Sequence, residues 1–85
     1  MVSKHYKWQA RWTVDVAALE ARHECGLVVR FTRAGAGLRA GLVNRDETIA
    51  ALTPKNGAHN APLMVDRMER EAVQLMGRAL PQGGA

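Results

Sequence analysis

The sequence is poor in the features that stabilise secreted domains or anchor proteins in membranes. Its 85 residues include one cysteine, three prolines, two tryptophans, one tyrosine and one phenylalanine. A single cysteine cannot form a disulfide within the chain, and no apolar run approaches the ~18 residues that a membrane span needs. The first fifteen residues also lack the uncharged apolar region of a signal peptide. We therefore expect a soluble cytoplasmic protein with no membrane partner.

Residue groups that support catalysis or metal binding are also scarce. Cys25 and the three histidines show no paired spacing of the kind found in zinc sites. Residues 35–40 match G-x-G-x-x-A, but a dinucleotide site also needs a helix at that turn and an acid about 20 residues later. Neither Asp46 nor Asp66 is well placed for that role. We predict a non-enzymatic protein that uses no cofactor and no metal.

Length and composition indicate one small folded domain. An apolar fraction of 47% is ordinary for a globular protein. A chain of 85 residues is near the size at which one core suffices for folding, so dimerisation would add stability. We expect a single domain over residues 1–80 and a flexible tail over 81–85. Nine arginines against three lysines, with abundant alanine, suggest a bacterial or phage source.

The N-terminal segment alternates between two kinds of residue. This period of two predicts a strand over His5–Val14 with one buried and one exposed face. The apolar positions are Tyr6, Trp8, Ala10, Trp12 and Val14, and the polar positions are His5, Lys7, Gln9, Arg11 and Thr13. Both tryptophans therefore fall on the predicted buried face, and two cations on the exposed one.

The next segments predict a helix and a second strand. A helix is predicted over Val16–Cys25, which is rich in helix formers. Asp15 is a good N-cap for it, and Gly26 occupies the position after the helix, where glycine is favoured. Leu27–Arg33 is β-branched and aromatic with alternating faces, which predicts a strand.

Residues 38–52 allow two interpretations. Gly35 and Gly37 favour a tight turn into a third strand over Leu38–Val43, followed by a short helix from Asn44 to Leu52 with Asn44 and Glu47 as its capping pair. Alternatively, the apolar spacing fits one helix over Leu38–Leu52.

The C-terminal part predicts a polar loop and a long helix. Residues 53–61 contain an Asn-Gly turn signal, and Pro62–Leu80 has the cleanest helical periodicity in the chain. The predicted architecture is α+β: a small two-layer sandwich of a three-stranded, mainly antiparallel sheet with helices on one face, in the order β-α-β-β-α-α.

The predicted exposed face of the sheet is basic. It carries Lys7, Arg11, Arg30 and Arg39, which form a candidate surface for a polyanion, most simply nucleic acid. The large rings alternate to the other face, so binding would be electrostatic and weakly sequence-specific. Two alternatives remain open: an acidic protein partner, or a face whose arginines only keep the sheet soluble.

A rival hypothesis is a protein-interaction module. Trp8 and Trp12 are core residues if helices cover them, and interface anchors if helices do not. The Met-rich side of the C-terminal helix is a second candidate seam. Either surface would suit a homodimer or a small accessory protein from a bacterium, phage or mobile element.

Overall fold

The structure, a computed structural model, describes residues 8–80 and is an α+β arrangement with an antiparallel sheet followed by two helices. The strands lie side by side in chain order. The elements are a 3-10 turn over Gln9–Arg11, β1 Trp12–Asp15, β2 Glu20–His23, β3 Val28–Ala34, β4 Gly37–Leu42, α1 Arg45–Asn56 and α2 Asn60–Ala79. The predicted tail over 81–85 and Lys7 lie outside the described residues.

The predicted helix over Val16–Cys25 is wrong, and the sheet therefore has four strands rather than three. Asp15 Oδ1 accepts a hydrogen bond from the Ala18 amide at 3.0 Å, as a helix cap would, but Leu19 has φ +55° and ends the turn. The chain then reverses into β2, where Ala21 is completely buried. Helix propensities differ by less than about 1 kcal/mol per residue, so these sheet contacts outweigh them.

The strand predicted over His5–Val14 is shorter in the structure. Residues 9–11 form the 3-10 turn, β1 begins at Trp12, and residues 5–7 lie outside the described part. Trp12 is only 7% exposed, and its indole N–H donates to Glu71 Oε1 at 3.1 Å. This buried ring ties the edge strand to α2.

A strand followed by a helix, rather than one long helix, occupies residues 38–52. β3 and β4 form a hairpin through a two-residue loop, Gly35–Ala36, and φ of +60° at Gly35 fits a type II′ turn. α1 runs past Pro54, so the predicted loop over 53–61 shrinks to residues 57–59. Asn44 occupies the N-cap position of α1 as predicted, but its side chain makes no capping hydrogen bond. Its Oδ1 instead accepts from the Val28 amide, and its Nδ2 donates to the Gly26 carbonyl.

α2 covers one face of the sheet and confirms the periodicity of the C-terminal segment. Its buried residues recur every three or four positions, so they form one stripe along the helix. The stripe consists of Ala61, Val65, Met68, Ala72 and Met76. It packs with Trp12, Val29 and Phe31 of the sheet into one core. Over the described residues, neither helix has the length and apolar character needed to cross a membrane.

Candidate functional site

The outer face of the sheet, opposite the helices, brings several charged side chains together. Val29 and Phe31 point into the core, so Arg30 lies on the outer face by strand alternation. The register places Arg30 opposite Glu20 on β2, and Arg39 opposite Thr32. Arg39 is therefore a diagonal neighbour of Arg30, at a spacing of about 7–8 Å.

Glu20 holds two arginines at the centre of the outer face. Its Oε1 accepts from Arg22 at 2.8 Å and its Oε2 accepts from Arg30 at 3.1 Å. The Glu20 side chain is only 9% exposed, whereas those of Arg22 and Arg30 are 67% and 62% exposed, so the guanidinium groups lie over the carboxylate. Hydrogen bonds from Arg30 and then Arg22 lower the pKa of Glu20. The carboxylate therefore remains ionised at neutral pH.

Positive charge at this centre is largely compensated. Asp15 lies directly opposite Glu20 in the register, so two carboxylates accompany Arg22 and Arg30. Residues 27–45, in contrast, contain four arginines and no acid. The uncompensated charge of the sheet is therefore on β3 and β4.

Two arginines of the β3–β4 hairpin have no acidic partner among the described residues. Arg33 and Arg39 are exposed, and neither takes part in an ion pair there. Arg39 lies on the outer face and Arg33, two residues after Phe31, on the opposite face of the hairpin. Their guanidinium groups are available to a ligand without loss of a salt bridge to any residue in 8–80.

The structure brings together two of the four cations that the sequence grouped as a nucleic-acid site. Arg30 and Arg39 share the outer face. Arg11 lies in the 3-10 turn, where its Nε is 3.4 Å from Glu24 Oε2, and Lys7 is outside the described residues. Arg22 did not appear in the prediction because it fell in the supposed helix.

Arg33 was missed for a different reason. Its alternation with Phe31 assigned it to the buried face of the predicted strand. The acid-free run over residues 27–45 was the signal that could have found it.

A cleft at the opposite end of the sheet was not foreseen from the sequence. It lies among the 3-10 turn, the β2–β3 turn, α1 and α2, with a volume of about 630 Å³. Its lining includes Trp8, Leu52, Met64 and Met68 as apolar residues. Trp8 is half-buried there, whereas Trp12 belongs to the core.

The charged groups of the cleft are paired with each other. Arg11 pairs with Glu24, and Arg67 Nε lies 3.9 Å from Glu71 Oε2. The Arg11–Glu24 pair is exposed on both sides and contributes little to stability. The two pairs do, however, leave the mouth of the cleft without excess charge of either sign.

His23 and Cys25 lie in the cleft but do not form a nucleophile and base. His23 Nδ1 accepts the backbone N–H of Cys25 at 3.1 Å, and the Cys25 thiol lies 3.9 Å from the Met68 sulfur. Burial lowers the pKa of His23, whose ring packs edge-on against Trp12 at 4.8 Å between centroids. Within residues 8–80, no group of three His, Cys, Asp or Glu side chains is placed to hold a metal.

No family model, curated protein or solved structure matches the chain. The inference of function therefore depends on the two surfaces above. The hairpin offers unpaired positive charge, and the cleft offers an apolar floor with balanced charge.

Proposed function

We propose that the protein binds nucleic acid through its β3–β4 hairpin. The observation that supports this is the pair of exposed arginines, Arg33 and Arg39, without acidic partners among the described residues. Arg30 adjoins Arg39 on the outer face and has further N–H donors besides the one that bonds Glu20. Clustered guanidinium groups of this kind neutralise backbone phosphates and release counterions.

The residues around the arginines determine the mode of binding. On the β3–β4 hairpin no aromatic ring is exposed beside them, because its one ring, that of Phe31, is buried in the core. Stacking of unpaired bases is therefore not available there, and phosphate contacts supply the affinity. Such binding is weakly sequence-specific, with dissociation constants of about 10⁻⁴ to 10⁻⁶ M at physiological salt.

A salt-dependent titration tests the proposal. Binding of a fluorescent 20-base-pair DNA is measured by anisotropy over a range of NaCl concentrations. Arg39→Gln should weaken binding at every salt concentration and flatten the slope of log K against log salt by about 0.9. The matched control is Arg70→Gln, which removes the same charge from an exposed position on α2.

Two results would contradict the proposal. One is an absence of binding to DNA and RNA, single- or double-stranded, at low salt. The other is an equal loss of binding in Arg39→Gln and Arg70→Gln, since it would mean that only net charge matters.

A protein-interaction role is the second candidate, and the cleft is the observation in its favour. Trp8 lines the cleft beside Leu52 and Met64 and is not fully buried. Aromatic residues at the edge of an apolar depression are typical interface anchors. Sedimentation equilibrium tests the homodimer form of this role: a concentration-dependent dimer lost in Trp8→Ala supports it, and a monomer at all concentrations opposes it.

A further inference from the structure

We infer that the ligand of the hairpin is B-form duplex DNA, and that residues 32–39, here called the ribbon, enter its major groove. This inference depends on the proposed function and specifies its ligand. The major groove of B-DNA is about 12 Å wide and 8.5 Å deep, and it accepts a two-stranded β-ribbon.

The ribbon extends past the rest of the sheet. β2 pairs with β3 only from Val28 to Arg30, whereas β3 and β4 remain paired as far as Ala34 and Gly37. The last three residue pairs therefore have no third strand beside them, apart from one hydrogen bond from the Phe31 amide to Leu19 just before them. At ~3.3 Å per residue this overhang is about 10 Å long, close to the depth of the groove.

The side chains of the ribbon suit this insertion. Seven of its eight residues are exposed, and Leu38 alone is half-buried against the core. The tip consists of Ala34, Gly35, Ala36 and Gly37, so no side chain there extends beyond Cβ. A tip this slim lets the backbone approach the bases closely.

Arg33 and Arg39 lie on opposite faces of the ribbon. Arg39 is opposite Thr32 on the outer face, and Arg33 is opposite Leu38 on the other face. A ribbon inserted in a groove has one phosphate wall beside each face. Arg39 and Arg33 are thus placed to contact one wall each. A flat polyanionic surface, in contrast, would contact only one face of the ribbon and so only one of the two arginines.

Duplex type provides the test, because the major groove of A-form RNA is deep, narrow and closed to protein side chains. Wild-type protein is titrated with a 20-base-pair DNA duplex, the RNA duplex of the same sequence, and each single strand. We expect the DNA duplex to bind at least tenfold more tightly than the others. Methylation of guanine N7, which lies in the major groove, should weaken binding.

Two double variants distinguish the effect of the ribbon arginines on binding from the effect of net charge. Arg33→Gln combined with Arg39→Gln should abolish the preference for DNA and flatten the salt slope by about 1.8. Arg70→Gln combined with Arg78→Gln removes the same charge from exposed positions on α2 and should retain the preference. Thermal unfolding of each variant confirms that it is folded.

The outcomes are distinguishable from those for the proposed function. Equal affinity for DNA duplex, RNA duplex and single strands would overturn groove insertion while leaving nucleic-acid binding in place. Insensitivity to guanine N7 methylation would likewise overturn groove insertion. Binding to none of these probes at low salt would overturn both.

Discussion

At the scale of single residues, Glu20 limits the charge of the outer face. It holds Arg22 and Arg30 by hydrogen bonds and is itself covered by them. A carboxylate in this position accepts hydrogen bonds from two guanidinium groups, and it also cancels part of the charge that a phosphate would meet. The composition alone cannot reveal this compensation, because Glu20 and Arg30 are ten residues apart in the sequence.

Replacement of Glu20 tests the compensation. Glu20→Gln should strengthen DNA binding and steepen the salt slope by about 0.9 to 1.8, because one or two arginines become free for phosphates. Glu47→Gln is the control, since it makes the same charge change at an exposed site on α1. Anisotropy titrations at several NaCl concentrations measure both. An identical gain in the two variants would show that Glu20 has no special effect.

His23 should make stability depend on pH. Burial lowers its pKa in the folded chain, and its Nδ1 accepts the Cys25 amide, which an imidazolium cannot do. Below the unfolded pKa of about 6.5 the unfolded chain binds more protons, so the free energy of unfolding falls as the pH decreases. Above that pH the stabilisation is complete.

Urea unfolding followed by tryptophan fluorescence measures this effect at about pH 7.5 and about pH 5.5, on either side of the unfolded histidine pKa. His23→Gln should reduce the difference in unfolding free energy between the two pH values. His59→Gln, at an exposed position, is the matched control. A wild-type stability that is the same at both pH values would contradict this assignment.

At the scale of elements, the sequence predicts some parts better than others. The β3–β4 hairpin and α2 carry strong local signals, namely alternation with a glycine turn and a long helical stripe, and the structure has both. Residues 16–25 carry helix-forming residues and a good cap, yet form a turn and β2. The decisive contacts there, such as Glu20 with Arg30, join different strands and cannot be read locally.

Replacement of two alanines by leucine, one at a time, distinguishes strand from helix in this segment. On a helix, Ala17 and Ala21 would share a face, but in the structure Ala17 is exposed and Ala21 fully buried. Ala21→Leu should overpack the core and destabilise the protein by about 1–3 kcal/mol. Ala17→Leu should change stability by less than about 0.5 kcal/mol. Chemical denaturation measures both, and equal effects would favour the helix.

The candidate site was predictable only in part, also for reasons of element geometry. Arg30 and Arg39 could be assigned to one face because each lies in a strand with clear alternation. The ribbon could not be foreseen, because its overhang depends on where β2 stops pairing with β3. The cleft is lined by four segments that are distant in sequence, so no local sequence pattern predicts it.

At the scale of the whole molecule, stability depends on one thin layer of apolar contacts. A domain of this length has a total stability of about 4–13 kcal/mol. The core is formed mainly by the stripe of α2 against the inner sheet face, and Met76, Val65, Leu27 and Val29 are its largest completely buried side chains. Loss of any one of them therefore removes a large share of the total.

Met76→Ala should destabilise the whole domain by about 2–5 kcal/mol. Val73→Ala, at a position on α2 that is 48% exposed, serves as the comparison and should have little effect. Thermal unfolding followed by circular dichroism measures both. Similar midpoints for the two variants would show that α2 packs with a different face.

Pro54 removes one backbone hydrogen bond from the helix end that borders the cleft. It lies within the last turn of α1 and has no amide hydrogen to donate to the Ala50 carbonyl. Leu52, two residues earlier, lines the cleft. Local opening starts where backbone hydrogen bonds are fewest, so amide hydrogen exchange should be faster at the end of α1 than in the middle of α2. The cleft would then widen through fraying of one helix end while the sheet and the ribbon stay fixed.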